Sequence, residues 1–273
     1  MRLKILDLTT RLPGPLACNQ LQKLGHEVTR IEWIESPDPF NIGDGENDPI
    51  FKLWHQNFNK DKINFEYSFK DFDPKELEQF DLVIYSPNKL YKDFFSNKIK
   101  RVEVLGGKEL KYLHDLNALS LSTSFNLNSG ELPHLPFAGI IYAQSIALHA
   151  LNFIHDKENI HKKLYLSDIS TDLLDLFWSP SLGESSQHLH TGKFPCYNIY
   201  RSADKKLIAF AAVEERFWLK FNDLFKLNLE LKDRFDTSNS TKNIITQCFA
   251  KLSLNEIKKT IGDEDICITF LPH

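Results

Sequence analysis

Length, composition and charge place this chain among ordinary globular proteins. It has 273 residues, of which 42% are hydrophobic and 26% are charged, so it can bury a large core and is not wholly disordered. The formal net charge of -4 argues against a general nucleic-acid binder, which would carry a basic face.

The cysteine and histidine patterns predict no metal site. The four cysteines lie far apart and form no CxxC pair, which favours neither a zinc site nor a disulfide framework and fits a reducing compartment, the cytoplasm. His188 and His190 alternate in a polar stretch without a third ligand. The amino-terminal apolar run is too short for a signal peptide, and no stretch approaches the roughly 20 apolar residues of a membrane span, so we expect no membrane partner.

The first 33 residues predict a strand, a helix and a second strand. Residues 3–8 are apolar, residues 12–25 carry apolar side chains at helical spacing, and residues 28–33 again favour a strand. Such a βαβ unit is typical of a parallel sheet with a right-handed crossover. Gly25 stands where the helix is expected to end.

A rigid turn made of Pro13, Gly14 and Pro15 lies between the first strand and the first helix. Open α/β sheets bind ligands at the carboxyl ends of their strands, so this turn is a candidate ligand contact. A structural turn that only leads into the helix explains the same residues equally well.

The middle of the chain alternates between loops and buried elements. Residues 34–61 are rich in Pro, Asn, Asp and Gly and predict a long loop. Residues 81–86 and 101–106 predict two buried strands. Residues 138–153 are apolar on most faces, which is typical of an internal helix, and residues 164–167 predict another strand.

A His-Asp pair, His114 and Asp115, lies in the apolar stretch from Tyr112 to Leu121. A single histidine in such a run is more often a hydrogen-bonded core residue than a catalyst. The pair therefore becomes a functional candidate only if other parts of the chain point to the same chemistry.

The last third of the chain changes character. Residues 179–193 are rich in Ser, Gly, Gln and His and predict a linker. The elements expected after it are a hairpin over 195–213, a helix over 214–225, helices over 241–252 and 254–261, and a strand over 266–271. We therefore expect a large domain (1–178), a linker (179–194) and a small α/β domain (195–273).

Several stretches, in order, resemble one family. They are LDLTTRLPGPLACNQLQKLGHEVTRIE from residue 6, FNKDKINF from 58, HDLNAL from 114, FAGIIYAQSIALHAL from 137, PCYNIYRSADKKLIAFAAVEERFW from 195 and DEDICITFLP from 263. Together they are similar to the family III CoA-transferases and the related α-methylacyl-CoA racemases. The resemblance implies a Rossmann-like large domain with a parallel sheet and a smaller α/β domain.

The resemblance also implies a site and its ligand. An acyl-CoA would be the substrate, with no prosthetic group, and CoA would lie over the carboxyl ends of the large-domain strands. The residues that it implies for CoA binding are Pro13, Gly14, Pro15, Arg30 and Glu32. Trp33 stands where many relatives carry a basic residue for the CoA phosphates.

In the racemases a histidine paired with a glutamate removes the α-proton of the acyl-CoA, and an aspartate returns it on the other face. The histidine matches His114 and the glutamate matches Glu214, with Asp115 as a neighbouring carboxylate. The chemistry is reasonable, because a thioester α-carbon is a weak acid and a histidine beside a carboxylate is a base suited to neutral pH. Pro136 occupies the position of the aspartate, which in the transferases is the covalent nucleophile.

The sequence therefore leaves two alternative functions open. The first is a racemase-like or transferase-like acyl-CoA enzyme with one proton-transfer face altered. The second is an acyl-CoA-binding homologue or non-catalytic partner subunit of an active relative. The family's carboxyl-terminal return segment has no counterpart before His273, so we expect a homodimer through another surface, a heteromer with a relative, or no dimer.

Overall fold

The structure is a computed structural model that describes residues 2–39, 64–108, 113–121, 136–168 and 192–270. The chain divides into two compact units, Met1–Ser179 and Pro180–His273. Most of the predicted linker, residues 179–191, lies outside the described residues, so the domain limits stay predictions.

Unit 1 is built on a six-stranded parallel sheet with the order β3-β2-β1-β4-β5-β6. The predicted α/β class with a parallel sheet is confirmed. Its strands are β1 (Lys4–Leu8), β2 (Glu27–Trp33), β3 (Asn64–Tyr67), β4 (Leu82–Tyr85), β5 (Arg101–Leu105) and β6 (His161–Tyr165). Its helices are α1 (Pro13–Lys23), α2 (Asp115–Leu121) and α3 (Phe137–Phe153), with short 3₁₀ helices at Pro74–Gln79 and Lys89–Tyr91.

The two faces of this sheet are covered differently. One face packs against α1 and α3 through small and aliphatic side chains such as Ala17, Leu21 and Ala143, which let the helices approach closely. The other face carries an aromatic cluster that includes Trp33, Phe72, Tyr85 and Phe94. Because side chains alternate along a strand, each strand contributes to both layers.

Local signals explain the limits of α1. Pro13 takes the first helical position, where its missing N–H and fixed φ cost nothing. Gly25 adopts a φ of 94° just after the helix, a left-handed conformation that glycine reaches without strain.

One predicted strand is wrong in position. Residues 164–167 were expected to form it, whereas β6 runs from His161 to Tyr165 and residues 166–168 are already helical. The strand lies at the sheet edge, so only Leu164 is buried while His161 and Lys163 point away from the helices. Because the first residues of β6 are polar, a prediction based on apolar runs places the strand too late in the chain.

Unit 2 is a three-stranded antiparallel sheet covered by helices. Its strands, in the order β7-β8-β9, are β7 (Tyr197–Arg201), β8 (Leu207–Ala211) and β9 (Ile268–Phe270). Its helices are α4 (Glu215–Phe225), α5 (Ser240–Ala250) and α6 (Leu254–Ile261), with a 3₁₀ helix at Leu231–Phe235. The core is aromatic and includes the buried Trp218, Phe210, Phe221 and Phe249.

A lysine closes the carboxyl end of α3. The Lys100 ammonium donates to the backbone carbonyls of Phe153, Asp156 and Asn159, and lies 4.6 Å from the centre of the Phe153 ring. The last carbonyls of a helix have no partner inside the helix, and a cation there also meets the negative end of the helix dipole. Lys100 therefore anchors the turn that leads from α3 into β6.

We predict that Lys100→Met lowers the free energy of unfolding by about 1–3 kcal/mol, because methionine keeps the length but loses the charged donor. Urea unfolding followed by circular dichroism measures this. Lys98→Met, at an exposed lysine of the same connection, is the control and should change little. Equal effects of the two substitutions would show that Lys100 does not anchor this turn.

Candidate functional site

The turn before α1 is held by a close backbone approach. A Cβ on Gly14 would overlap the Thr9 side chain, so only glycine fits where the turn packs against the end of β1. Gly14 and Pro15 are buried, and Pro13 is half-buried. The turn is therefore packed tightly against the carboxyl edge of the sheet. Its contact with CoA stays a prediction.

Beside this turn lies a fully buried ionic cluster. The Arg30 guanidinium donates to Asp7 at 2.8 Å and to Asp38 at 2.9 Å, and all three side chains are at most 2% exposed. Burial by itself lowers the pKa of Arg30, but the charges of Asp7 and Asp38 outweigh burial and raise it. The guanidinium is therefore held charged inside the protein.

Backbone N–H groups satisfy the remaining carboxylate oxygens of the cluster. Asp7 accepts from the Thr9 N–H at 2.8 Å and from the Thr9 side-chain hydroxyl at 2.5 Å. Asp38 accepts from the Arg11 N–H at 3.0 Å, and the Asp38 N–H donates to Glu32 at 2.7 Å. The network thus joins β1, β2 and the segment before α1.

The cluster bears on the predicted CoA contacts of Arg30 and Glu32. Both side chains lie inside the protein, 2% and 5% exposed, and Arg30 already meets two carboxylates. A phosphate would have to displace a buried ion pair to reach the guanidinium. These contacts give the two residues a structural role, and their part in CoA binding stays a prediction.

Asp38 is a member of this cluster that the sequence analysis missed. It lies between Pro37 and Pro39 in a stretch that was assigned to a long loop. An acid fixed between two prolines in a polar loop was the available signal. Trp33 is also structural: it is 2% exposed and its indole N–H donates to the Tyr91 hydroxyl at 2.7 Å.

His114 lies at the amino end of α2 and is exposed. Its backbone carbonyl accepts from the Ala118 N–H at 2.9 Å, and its backbone N–H donates to the Asn117 side chain at 3.2 Å. The backbone of His114 is thus fixed as the residue that precedes the helix, while its imidazole is accessible to solvent. The imidazole is therefore open to a molecule that approaches from solvent.

The side chain of Asp115, the next residue, forms a hydrogen bond with a different helix, α3. Its Oδ1 accepts from the Gly139 N–H in the first turn of α3 at 2.6 Å. The residue before α3 is Pro136, which has no side chain able to cap the helix. Asp115 therefore supplies from α2 the cap that α3 lacks.

Burial raises the pKa of Asp115, although the N–H groups of Gly139 and Ala138 act in the opposite direction. Leu12 closes the other side, since a Cβ on Gly139 would lie 3.0 Å from its Cδ2 and 3.5 Å from Asp115 Oδ1. The ends of α1, α2 and α3 thus meet at Gly139. His114 is attached to this junction through its neighbour.

Pro136 lies at the start of α3 with φ of -77° and ψ of 71°, and its carbonyl accepts from the Ile140 N–H at 2.9 Å. An aspartate at this position would have its carboxylate at the helix amino end, close to Asp115. Proline offers no acid, base or nucleophile there.

Glu214 belongs to unit 2, where it directly precedes α4. It is exposed, and its carbonyl accepts from the Phe217 and Trp218 N–H groups at 3.1 Å while its side chain makes no cap. Its carboxylate acts on Cys267, whose pKa is raised first by burial and then by this charge. The predicted pairing of Glu214 with His114 stays a prediction.

In the described parts of the chain, no group of three or more His, Cys, Asp or Glu side chains is arranged to hold a metal ion. No helix of those parts combines the length and the apolar character needed to cross a membrane. His188 and His190 lie outside the described residues.

Comparison with known proteins identifies the fold. No family model matches the sequence, and no curated protein matches it either. Among solved structures, Rv3272 from M. tuberculosis has a TM-score of 0.70 at 14% identity, over 99% of this chain and 81% of that chain. A CAIB/BAIF family protein from Brucella suis has a TM-score of 0.68 at 14% identity, over 99% of this chain and 83% of that chain. The chain therefore has the fold of a CAIB/BAIF family protein.

We predict that Asp115→Ala lowers the free energy of unfolding by about 0.5–2 kcal/mol through loss of the α3 cap, whereas Asp115→Asn keeps an accepting oxygen and loses less. Because the pKa of Asp115 is raised in the folded state, the wild type should lose stability relative to the Asn variant as pH rises above 3.8 through the folded value. Urea unfolding at several pH values measures both effects. Equal stability of the Ala and Asn variants at all pH values would contradict the capping role.

Proposed function

We propose that this protein binds an acyl-CoA thioester and exchanges the proton on the carbon next to its carbonyl, with His114 as the base and Glu214 as the supporting carboxylate. The observation that carries the proposal is the exposed imidazole of His114, fixed at the start of α2 and tied through Asp115 to the start of α3. The likeness of fold to a CAIB/BAIF family protein supports the resemblance to family III CoA-transferases.

The proposed step moves one proton. The α-C–H bond breaks, the proton goes to an imidazole nitrogen of His114, and the electron pair moves onto the thioester carbonyl to form an enolate. The imidazolium exchanges this proton with solvent, and return of a proton from the same imidazole to the α-carbon restores the acyl-CoA. Inversion would need a second acid on the opposite face, and proline at position 136 supplies none.

The expected reaction is therefore isotope exchange with little racemisation. Covalent CoA transfer is not part of the proposal, because it needs a carboxylate nucleophile where Pro136 stands. The dimeric or heteromeric assembly, the cytoplasmic location and the absence of nucleic-acid and membrane partners remain predictions.

A second function has its own support. A non-catalytic acyl-CoA-binding homologue, or the partner subunit of an active relative, needs neither an acid at position 136 nor chemistry at His114. Pro136 favours this alternative, because it leaves the start of α3 without an acid, base or nucleophile.

We predict that the purified chain incorporates deuterium at the α-carbon of a 2-methylacyl-CoA in deuterated water, and that His114→Ala slows this by about 100-fold or more. Mass spectrometry of the recovered thioester measures the exchange. His155→Ala, at an exposed histidine just after α3, should keep the wild-type rate. Binding of the thioester without exchange by the wild type would favour the non-catalytic alternative.

We also predict that Pro136→Asp increases racemisation relative to exchange, because it restores an acid at the start of α3. Pro136→Asn is the matched control, since asparagine caps a helix as aspartate does but cannot transfer the proton. Chiral analysis of the hydrolysed acyl group measures inversion. If the Asp and Asn variants gave the same low inversion while both were folded, position 136 would not be the opposite face.

A further inference from the structure

Arg11 has an unusual backbone conformation in the segment between β1 and α1. Its φ is 66°, in the left-handed region that residues with long side chains seldom adopt. Its N–H donates to both carboxylate oxygens of the buried Asp38, at 3.0 Å each. The buried carboxylate therefore holds Arg11 in a strained conformation, and strain of this kind is concentrated at functional sites.

The guanidinium of Arg11 is open to solvent. The residue is exposed, and in the described parts of the chain no carboxylate forms an ion pair with it. Arg30, by contrast, is buried between two carboxylates. An anionic ligand can therefore reach Arg11 without displacing an ion pair.

The helix ends beside Arg11 offer few backbone donors to an anion. Two of the first three residues of α1 are prolines, which carry no N–H. At the start of α3, the Gly139 N–H is already bonded to Asp115 at 2.6 Å. An anion at this place therefore depends on a side chain, and a guanidinium can bind a carboxylate through two parallel hydrogen bonds.

The packing at Gly139 brings Arg11 towards the proposed base, His114. Leu12, which follows Arg11, lies on one side of Gly139, since a Cβ there would be 3.0 Å from Leu12 Cδ2. Asp115, which follows His114, accepts from the Gly139 N–H. Because neighbouring Cα atoms are about 3.8 Å apart, Arg11 and His114 are each one short chain step from this contact. The two exposed side chains therefore belong to one junction.

The place of Arg11 decides which part of an acyl-CoA it can meet. The phosphates of CoA are separated from the thioester by the whole pantetheine arm. A cation at the junction that carries the proposed base lies close to the acyl group instead. The anion that it meets there is therefore a group on the acyl chain, for which a carboxylate is the natural partner of a guanidinium.

We propose that the acyl group of the substrate carries a carboxylate of its own, which binds the Arg11 guanidinium. The substrate class is then the CoA monothioester of a short dicarboxylic acid. This inference rests on the proposed function, in which His114 acts on an acyl-CoA. The ion pair fixes the far end of the acyl chain and so holds the α-carbon at the imidazole.

The test titrates two pairs of thioesters into the full chain by isothermal calorimetry. The charged probes are 2-methylsuccinyl-CoA and 2-methylglutaryl-CoA, each with the thioester beside the methyl-bearing carbon. Their uncharged counterparts, 2-methylbutyryl-CoA and 2-methylpentanoyl-CoA, carry a methyl group in place of the carboxylate. At least one charged probe should bind about tenfold more tightly than its counterpart, and Arg11→Gln should abolish this preference. Arg2→Gln, at an exposed arginine before β1, should keep it.

A second variant guards against misfolding. Arg11→Gly also removes the guanidinium, but glycine adopts a φ of 66° without strain, so the preference should disappear while stability to urea is kept or increased.

The outcomes separate this inference from the proposed function. Failure of every thioester to bind would overturn the proposed function and this inference with it. Equal binding of the charged and uncharged members of both pairs would overturn this inference alone. An equal loss of affinity for all the thioesters in Arg11→Gln would also contradict it, because the guanidinium would then meet the phosphates of CoA. Slower α-proton exchange with unchanged binding would place Arg11 at the enolate instead and contradict the ion pair.

Discussion

The buried ion pairs of Arg30 are the constraint on which the carboxyl edge of the unit 1 sheet depends. A guanidinium that is 2% exposed can exist there only because Asp7 and Asp38 neutralise it and backbone N–H groups complete the carboxylates. Buried ion pairs are poor evidence for a large stabilisation. Their attraction offsets the cost of desolvation only when the charged groups are accurately placed and fully hydrogen-bonded. Here they fix the ends of β1 and β2 relative to the segment that enters α1.

The same edge shows how a missing cap is replaced. Proline before α3 leaves the first N–H groups of that helix without a local acceptor, and Asp115 accepts from Gly139 instead. The carboxylate reaches Gly139 only because α2 lies against the start of α3. The same packing also sets the position of His114, the residue before Asp115. A carboxylate therefore lies at the start of α3 although Pro136 provides none, and this carboxylate is hydrogen-bonded to the backbone.

The opposite face of the sheet is apolar in one part and polar in another. Near β2 and β4 it is sealed by aromatic rings around Trp33, whereas at β5 and β6 it carries Glu103, His161 and Lys163. A cavity beside Tyr85 lies where the aromatic layer gives way to this polar region.

The sequence by itself was enough to predict the parallel α/β class, the limits of α1 and α3 to within a few residues, and the hairpin of unit 2. These follow from local signals: apolar periodicity, Pro13 at a helix start, Gly25 at a helix end and turn residues between β7 and β8. The sequence missed β3 and misplaced β6, because short or edge strands bury too few residues to produce an apolar run.

Only the tertiary structure decided which charged side chains are structural and which are accessible. The resemblance implies that Arg30 and Glu32 bind CoA, which stays a prediction. Only folding brings Asp7, 23 residues away, and Asp38, 8 residues away, to the Arg30 guanidinium and buries it. The role of Asp115 beside His114 stays a prediction, and only the tertiary structure shows that its carboxylate accepts from a backbone N–H 24 residues further along the chain. Glu103, His161 and Tyr85 carried no sequence signal at all, because their proximity depends on the pairing of three strands that are far apart in the chain. Distances of this kind are set by strand register and helix packing, which no local pattern encodes.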